Sequence, residues 1–146
     1  QVILAYVTYN LVYALGSFPA GMLADRLPRS VVFGFGLVFF AVGYLGLGLT
    51  ADPVAAWVLI GAYGLFAACT DGVGKAWVSG LAGADTQATA QGVFQGGSGL
   101  AILIAGVWAG LAWGEDGHLP LLISGTVGAC FAAALLGRWA VRSVMR

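Results

Sequence analysis

The stretch VILAYVTYNLVYALGSFPAGMLADRLPRS, residues 2–30, decides what kind of protein this is. Residues 2–24 carry no charged side chain, and Asp25, Arg26 and Arg29 then arrive close together around Pro28. Wound as a helix, the uncharged run is about 34 Å long, enough to cross a hydrocarbon core of about 30 Å. The charges that end it mark the boundary between lipid and water. Working outward along the chain, the same pattern recurs four more times, giving spans at about 2–24, 31–49, 54–78, 90–113 and 119–136. The strong helix breakers fall between them, in residues 25–30, 50–53, 80–89 and 114–118. The apolar runs are too long and too continuous for the alternating strands of a β-barrel. The expected fold is therefore all-α, a polytopic bundle of five membrane-spanning helices forming a single membrane domain over residues 1–146.

Composition supports that reading. Of 146 residues, 60% are hydrophobic and 8% charged, whereas a soluble domain carries about 25% charged residues. Mean hydropathy is +0.94, so lipid has to be the solvent for most of the surface. The 24 glycines sit mostly inside the apolar runs, where a missing side chain lets helix backbones approach closely. Formal net charge is zero, which argues against a nucleic-acid partner. Cys69 and Cys130 lie in separate apolar runs without metal-ligand or redox spacing, and read as small hydrophobes. No metal, cofactor or catalytic set is expected. Gln1 opens into the first span with no basic leader region. With no initiator Met, the chain is expected to be a fragment.

Orientation follows from Lys and Arg. Arg26 and Arg29 lie in the first connection, Lys75 near the end of the third span, and Arg138, Arg142 and Arg146 after the fifth. All are on one side. The other side holds Asp52, Glu115, Asp116 and His118 and has no Lys or Arg. The N-terminus is expected outside and the C-terminus in the cytoplasm.

Gly21-Met22-Leu23-Ala24-Asp25-Arg26-Leu27-Pro28-Arg29-Ser30 closes the first span on the basic side. It resembles the signature loop of the major facilitator superfamily, Gly-x-Leu-Ala-Asp-Arg-x-Gly-Arg-Arg. Gly21, Leu23, Ala24, Asp25, Arg26 and Arg29 match; Pro28 stands where the family has Gly, and Ser30 where it has a basic residue. The resemblance implies that the loop latches the cytoplasmic side during alternating access. Asp25 would then face a helix N-terminus in the opposite half and pair with nearby Arg side chains, while Gly21 permits close approach. Residues 71–79 (DGVGKAWVS) resemble the tenth helix of bacterial members, and residues 89–94 (TAQGVF) the start of the eleventh. By that resemblance the chain is helices eight to twelve, the C-terminal part of a secondary transporter in a bacterial inner membrane. Its partners would be the lipid bilayer, the missing N-terminal half of the same transporter and a small-molecule substrate.

The residues themselves offer pathway candidates. Asp71 and Lys75 are the one oppositely charged pair within a span, four apart and so on one helix face. Ionisable groups at membrane depth are costly and point to function; a substrate site, a proton site and a structural pair with Lys75 snorkelling all fit this spacing. Tyr6, Asn10, Tyr13 and Ser17 form a polar stripe along the first span, with Asn10 and Tyr13 as substrate-facing candidates and interhelical hydrogen bonding as the competing role. Pro19 is expected to kink or loosen that helix. Gln91, Gln95 and Ser98 share a face of the fourth span, Gln95 being the candidate contact. The pairs Gly92/Gly96 and Gly106/Gly110 suggest tight helix packing. Gly96-Gly97-Ser98-Gly99 superficially resembles the serine motif of rhomboid proteases. However, His118 lies 20 residues from Ser98, roughly 30 Å if helical, and a general base must come within hydrogen-bond reach. The expected function is transport of a small solute by alternating access; if it is coupled to protons, Asp71 is the one candidate carrier. A channel-forming or scaffold subunit is the alternative, which leaves the signature loop unexplained.

Overall fold

The computed structural model describes residues 2–114 and 116–145. Gln1, Glu115 and Arg146, which entered the reading of leader and charge, lie outside the described residues. The elements are α1 (Val2–Arg26), α2 (Arg29–Leu49), α3 (Pro53–Leu81), a short 3-10 turn (Ala84–Thr86), α4 (Gln87–Leu111) and α5 (His118–Val144). Five helices among the described residues are long and apolar enough to cross a membrane.

The helices outrun the apolar stretches that announce them. α3 continues to Leu81, and α5 continues past Leu136 to Val144, carrying Arg138 and Arg142 within it. A helix satisfies its own backbone, so it does not stop where lipid stops. Arg stems can lie along the last apolar turns while the guanidinium reaches water. The turns are built from the residues that interrupt the runs. Only Leu27 and Pro28 separate α1 from α2. Asp52 caps α3 by accepting from Val54 N at 3.0 Å, with Pro53 opening the helix. Gly114 and Gly117 take φ of +60° and +66° between α4 and α5, a left-handed conformation that glycine adopts without a Cβ penalty. α1 stays continuous through Pro19.

The packing is a row. α2 is central, with α5 on one side and α3 on the other; α1 lies against α3 and touches α2 lightly, and α4 leans chiefly on α3. The buried interior is made of small residues: Ala20, Val31, Val32, Ala41, Ala67, Ala68, Val73 and Ala132, and no polar or charged side chain among the described residues is buried. Large apolar side chains such as Phe18, Ile102 and Phe131 point outward. That inverts the arrangement of a soluble core and suits a lipid solvent, where close backbone packing rather than hydrophobic burial joins helices.

Glycine makes the close contacts. On α5, a Cβ at Gly125 would meet Leu45 N of α2 at 3.0 Å. On α2, a Cβ at Gly36 would meet Thr70 Cγ2 of α3 at 2.6 Å. On α3, a Cβ at Gly64 would meet the Tyr9 carbonyl of α1 at 2.9 Å. The spacing of Gly92/Gly96 and Gly106/Gly110 pointed instead to α4. All four face open space in this chain, and α4 has no buried residue. Spacing alone does not distinguish a glycine pair with a neighbour from one without.

One contact ties the end of α2 to the start of α5. His118 Nδ1–H at the start of α5 donates to Gly48 O, one of the last carbonyls of α2, which lack a partner within their own helix. At the opposite end, Arg138 and Arg142 of α5 share a cleft with Pro28 and Ser30 at the start of α2 and Trp77 near the end of α3. The basic side chains therefore gather at one end of the bundle.

Candidate functional site

Asp71 and Lys75 lie about 27 Å and 33 Å along α3 from Pro53, in the second half of a helix about 43 Å long. The α-helical repeat puts them on one face, and Lys75 Nζ meets Asp71 Oδ1 at 2.8 Å. The second carboxylate oxygen is used from another helix: Tyr13 of α1 donates its hydroxyl to Asp71 Oδ2 at 2.8 Å. One carboxylate thus accepts a cation and a phenol at once, joining α1 to α3. Asp71 is 47% exposed and Lys75 44%. A charged side chain in a membrane helix is costly against lipid, about 2.5–3.5 kcal/mol at the helix centre on insertion scales and less toward the ends. That cost marks this face of α3 as one that turns to water or protein.

The same face opens into a cleft of about 520 Å³ bounded by α2, α3 and α4, with Asp71, Lys75, Thr70, Gln95, Ser98 and Phe94 among its lining residues. Two features seat α4 there. Gln91 donates its amide to Lys75 O and to Ser79 Oγ, each at 2.7 Å. Gly74 leaves room for Phe94, whose ring edge would lie 3.5 Å from a Cβ there. Thr70 is turned to its own helix, donating to Phe66 O at 2.8 Å, so the polar lining comes from the paired Asp71 and Lys75 and from Gln95 and Ser98.

Of the pathway candidates from the sequence, Tyr13, Asp71 and Lys75 form one hydrogen-bonded chain, and Gln95 joins them through the cleft. Asn10 does not line it; its amide donates to Tyr6 O at 2.8 Å, one turn back on α1. Ser17 likewise donates to Tyr13 O at 2.6 Å. The polar stripe on α1 is therefore half self-satisfied, and only Tyr13 reaches a neighbouring helix through a hydrogen bond. Sequence reasoning passed over Tyr9, which completes an aromatic wall beside it. Tyr9 stacks near Tyr13 with centroids 6.3 Å apart, and Tyr63 of α3 lies 5.4 Å from Tyr9. The i, i+3, i+7 run of Tyr6, Tyr9 and Tyr13 was the available signal.

The signature-loop residues separate in the same way. Gly21 has nothing within 4 Å of where a Cβ would sit. Asp25 and Arg26 are exposed, with no hydrogen-bond or ion-pair partner among the described residues. Arg29 alone reaches another helix, donating from Nη1 to Ala76 O at 2.7 Å. That carbonyl is next to Lys75, so the loop touches the helix that bears the charged pair. Gly80 leaves the space the guanidinium occupies. Gly80→Ala and Arg29→Gln are expected to lower thermal stability by similar small amounts, under about 1 kcal/mol each, and to be non-additive when combined. A double-mutant cycle on the thermal midpoint checks this; full additivity would show the two residues to be uncoupled.

The geometry defines a polytopic helical membrane protein with a polar, charge-bearing cleft on one face. The Major Facilitator Superfamily model matches residues 1–144. The chain is also 34% identical over 131 residues to an uncharacterized MFS-type transporter of Methanocaldococcus jannaschii, an alignment covering 90% of this chain and 33% of that protein. The chain belongs to the Major Facilitator Superfamily, a family of transporters and not of enzymes, and is an integral membrane protein. It spans about a third of the length of the relative it matches.

Proposed function

We propose that this chain forms helices eight to twelve of a secondary transporter that carries a small solute by alternating access, its two halves rocking about a central site. The observation that carries the reading is the Asp71 carboxylate held between Tyr13 and Lys75 on an open face of α3. In this reading the open face belongs to the pathway, Gln95 contacts the solute, and Asp71 carries a coupling proton. Gly21, Asp25, Arg26 and Arg29 form the gating loop; Asp25 and Arg26, unpartnered within the described residues, meet the other half of the transporter. Asn10 contributes only if its side chain leaves Tyr6 O. The basic end is cytoplasmic and the N-terminus outside, in a bacterial inner membrane, and the fragment needs the N-terminal half to complete the cavity.

Cysteine accessibility tests this in the whole transporter. With Cys69→Ala and Cys130→Ala as background, Gln95→Cys is expected to label with a membrane-impermeant maleimide from either face. A transported solute should change the two labelling rates in opposite directions. A thiol at position 95 that labels from neither face, or from one face under every condition, overturns the reading. The first outcome would fit a scaffold.

A further inference from the structure

The cleft at the basic end of the bundle is separate from the charged pair of α3. Its volume is about 530 Å³, and its lining includes Ser30, Trp77, Leu135, Arg138, Trp139 and Arg142. Three features make it a site for an anion. Arg138 and Arg142 are one turn apart on α5, about 5–6 Å between Cβ atoms, where like charges repel. Neither makes a hydrogen bond or ion pair among the described residues, and no Asp or Glu lines the cleft. Ser30 adds a hydroxyl that likewise has no partner among the described residues.

Two further features make it a site for a lipid and not a free ion. Its wall is apolar beside the guanidinium groups: Leu135 lies one turn before Arg138 and Trp139, and Trp77 is held edge-on against Phe33 with centroids 6.1 Å apart. Indoles prefer the level where acyl chains meet headgroups. The height also fits. Arg138 is 20 residues along α5 from His118, about 30 Å, or one hydrocarbon thickness, so its guanidinium emerges at the phosphate layer. Arg matches phosphate oxygens with paired N–H donors.

We propose that this cleft binds the headgroup phosphate of an anionic phospholipid, with Arg138 and Arg142 clasping the phosphate and Trp77, Trp139 and Leu135 flanking the glycerol and upper acyl chain. The assignment does not depend on transport. It requires only that the bundle sits in a membrane.

Native mass spectrometry of the protein in mixed micelles tests it, with phosphatidylglycerol and phosphatidylcholine supplied at equal concentration. Phosphatidylglycerol is expected to be retained roughly thirtyfold over phosphatidylcholine, because two basic residues each favour an anionic headgroup. The R138Q/R142Q variant is expected to lose that preference while keeping its elution volume and helical content. Should the variant not fold, the wild-type protein decides alone: its preference must fall as sodium chloride is raised, because exposed charges are screened. Equal retention of the two lipids, or a preference that survives in a folded double variant or in high salt, overturns the proposal. Displacement of phosphatidylglycerol by an equal concentration of inorganic phosphate overturns the lipid as the ligand.

Discussion

Asp71→Asn is expected to reduce solute uptake by the whole transporter about tenfold or more while leaving the protein folded. Asparagine keeps the size of the side chain but offers one acceptor oxygen where the carboxylate offered two. Lys75 and Tyr13, both at 2.8 Å, would then compete for it, and Lys75 would lose its counter-charge. Hydrogen bonds to a charged group contribute about 1.5–3 kcal/mol; at the exposure seen here the lower figure applies, which is roughly a factor of ten. Tyr13→Phe removes one neutral donor and should have the milder effect. Lys75→Gln leaves the carboxylate without a cation in a membrane helix and should have the stronger one. Uptake into proteoliposomes checks the order. The pH profile separates the two roles of Asp71: a flattened profile in Asp71→Asn marks it as the proton carrier, and an unchanged profile removes that role while leaving solute contact.

Gly64→Leu is expected to cost the most stability of any change considered, and to damage the site from a distance. The α1–α3 seam closes over Gly64, where even a Cβ would stand 2.9 Å from Tyr9 O and 3.0 Å from Val12 Cβ. The first contact is backbone, so no rotamer change relieves it, and α1 must move outward. Overpacking of this kind costs about 1–3 kcal/mol for modest insertions, more for a whole Leu side chain. Tyr13 lies one residue beyond Val12 on the displaced helix, so its hydroxyl should leave Asp71. The measurements are a thermal midpoint in detergent, expected to fall, and solute uptake, expected to fall at least as far as in Tyr13→Phe. A Gly64→Leu protein with unchanged midpoint and uptake would mean that the seam is looser than drawn.

What the sequence disclosed and what it withheld divide along a physical line. Membrane spans are written locally, because each must be apolar over about 20 residues whatever its neighbours are. Hence 2–24 and 31–49 fell close to α1 and α2. The turn at Asp52-Pro53 was equally legible, since a cap and an N1 proline act within one turn. The Asp71–Lys75 pair followed from helical repeat alone. The Tyr13–Asp71 hydrogen bond did not, because the partners are 58 residues apart and their meeting depends on which face of α1 nests over Gly64. The glycine pairs of α4 misled for the same reason: a small residue permits an approach but does not supply the neighbour. The length of α5 was missed because hydropathy reports where lipid ends, and its backbone hydrogen bonds continue past that point.

The unequal sharing of neighbours has a consequence for how the chain tolerates change. α2 touches helices on both sides through positions such as Gly36, Gly34 and Gly48, each too close to a neighbouring side chain to accept a Cβ without movement. α4 packs lightly, chiefly on α3, and keeps Gly92, Gly96, Gly106 and Gly110 in open space. Variation within this chain is therefore filtered unevenly. α2 is a frozen axis, on which drift is slow because substitutions on either side of it meet a packed neighbour. α4 is a free margin, whose sequence answers chiefly to the cleft it helps to line and to whatever covers its open face.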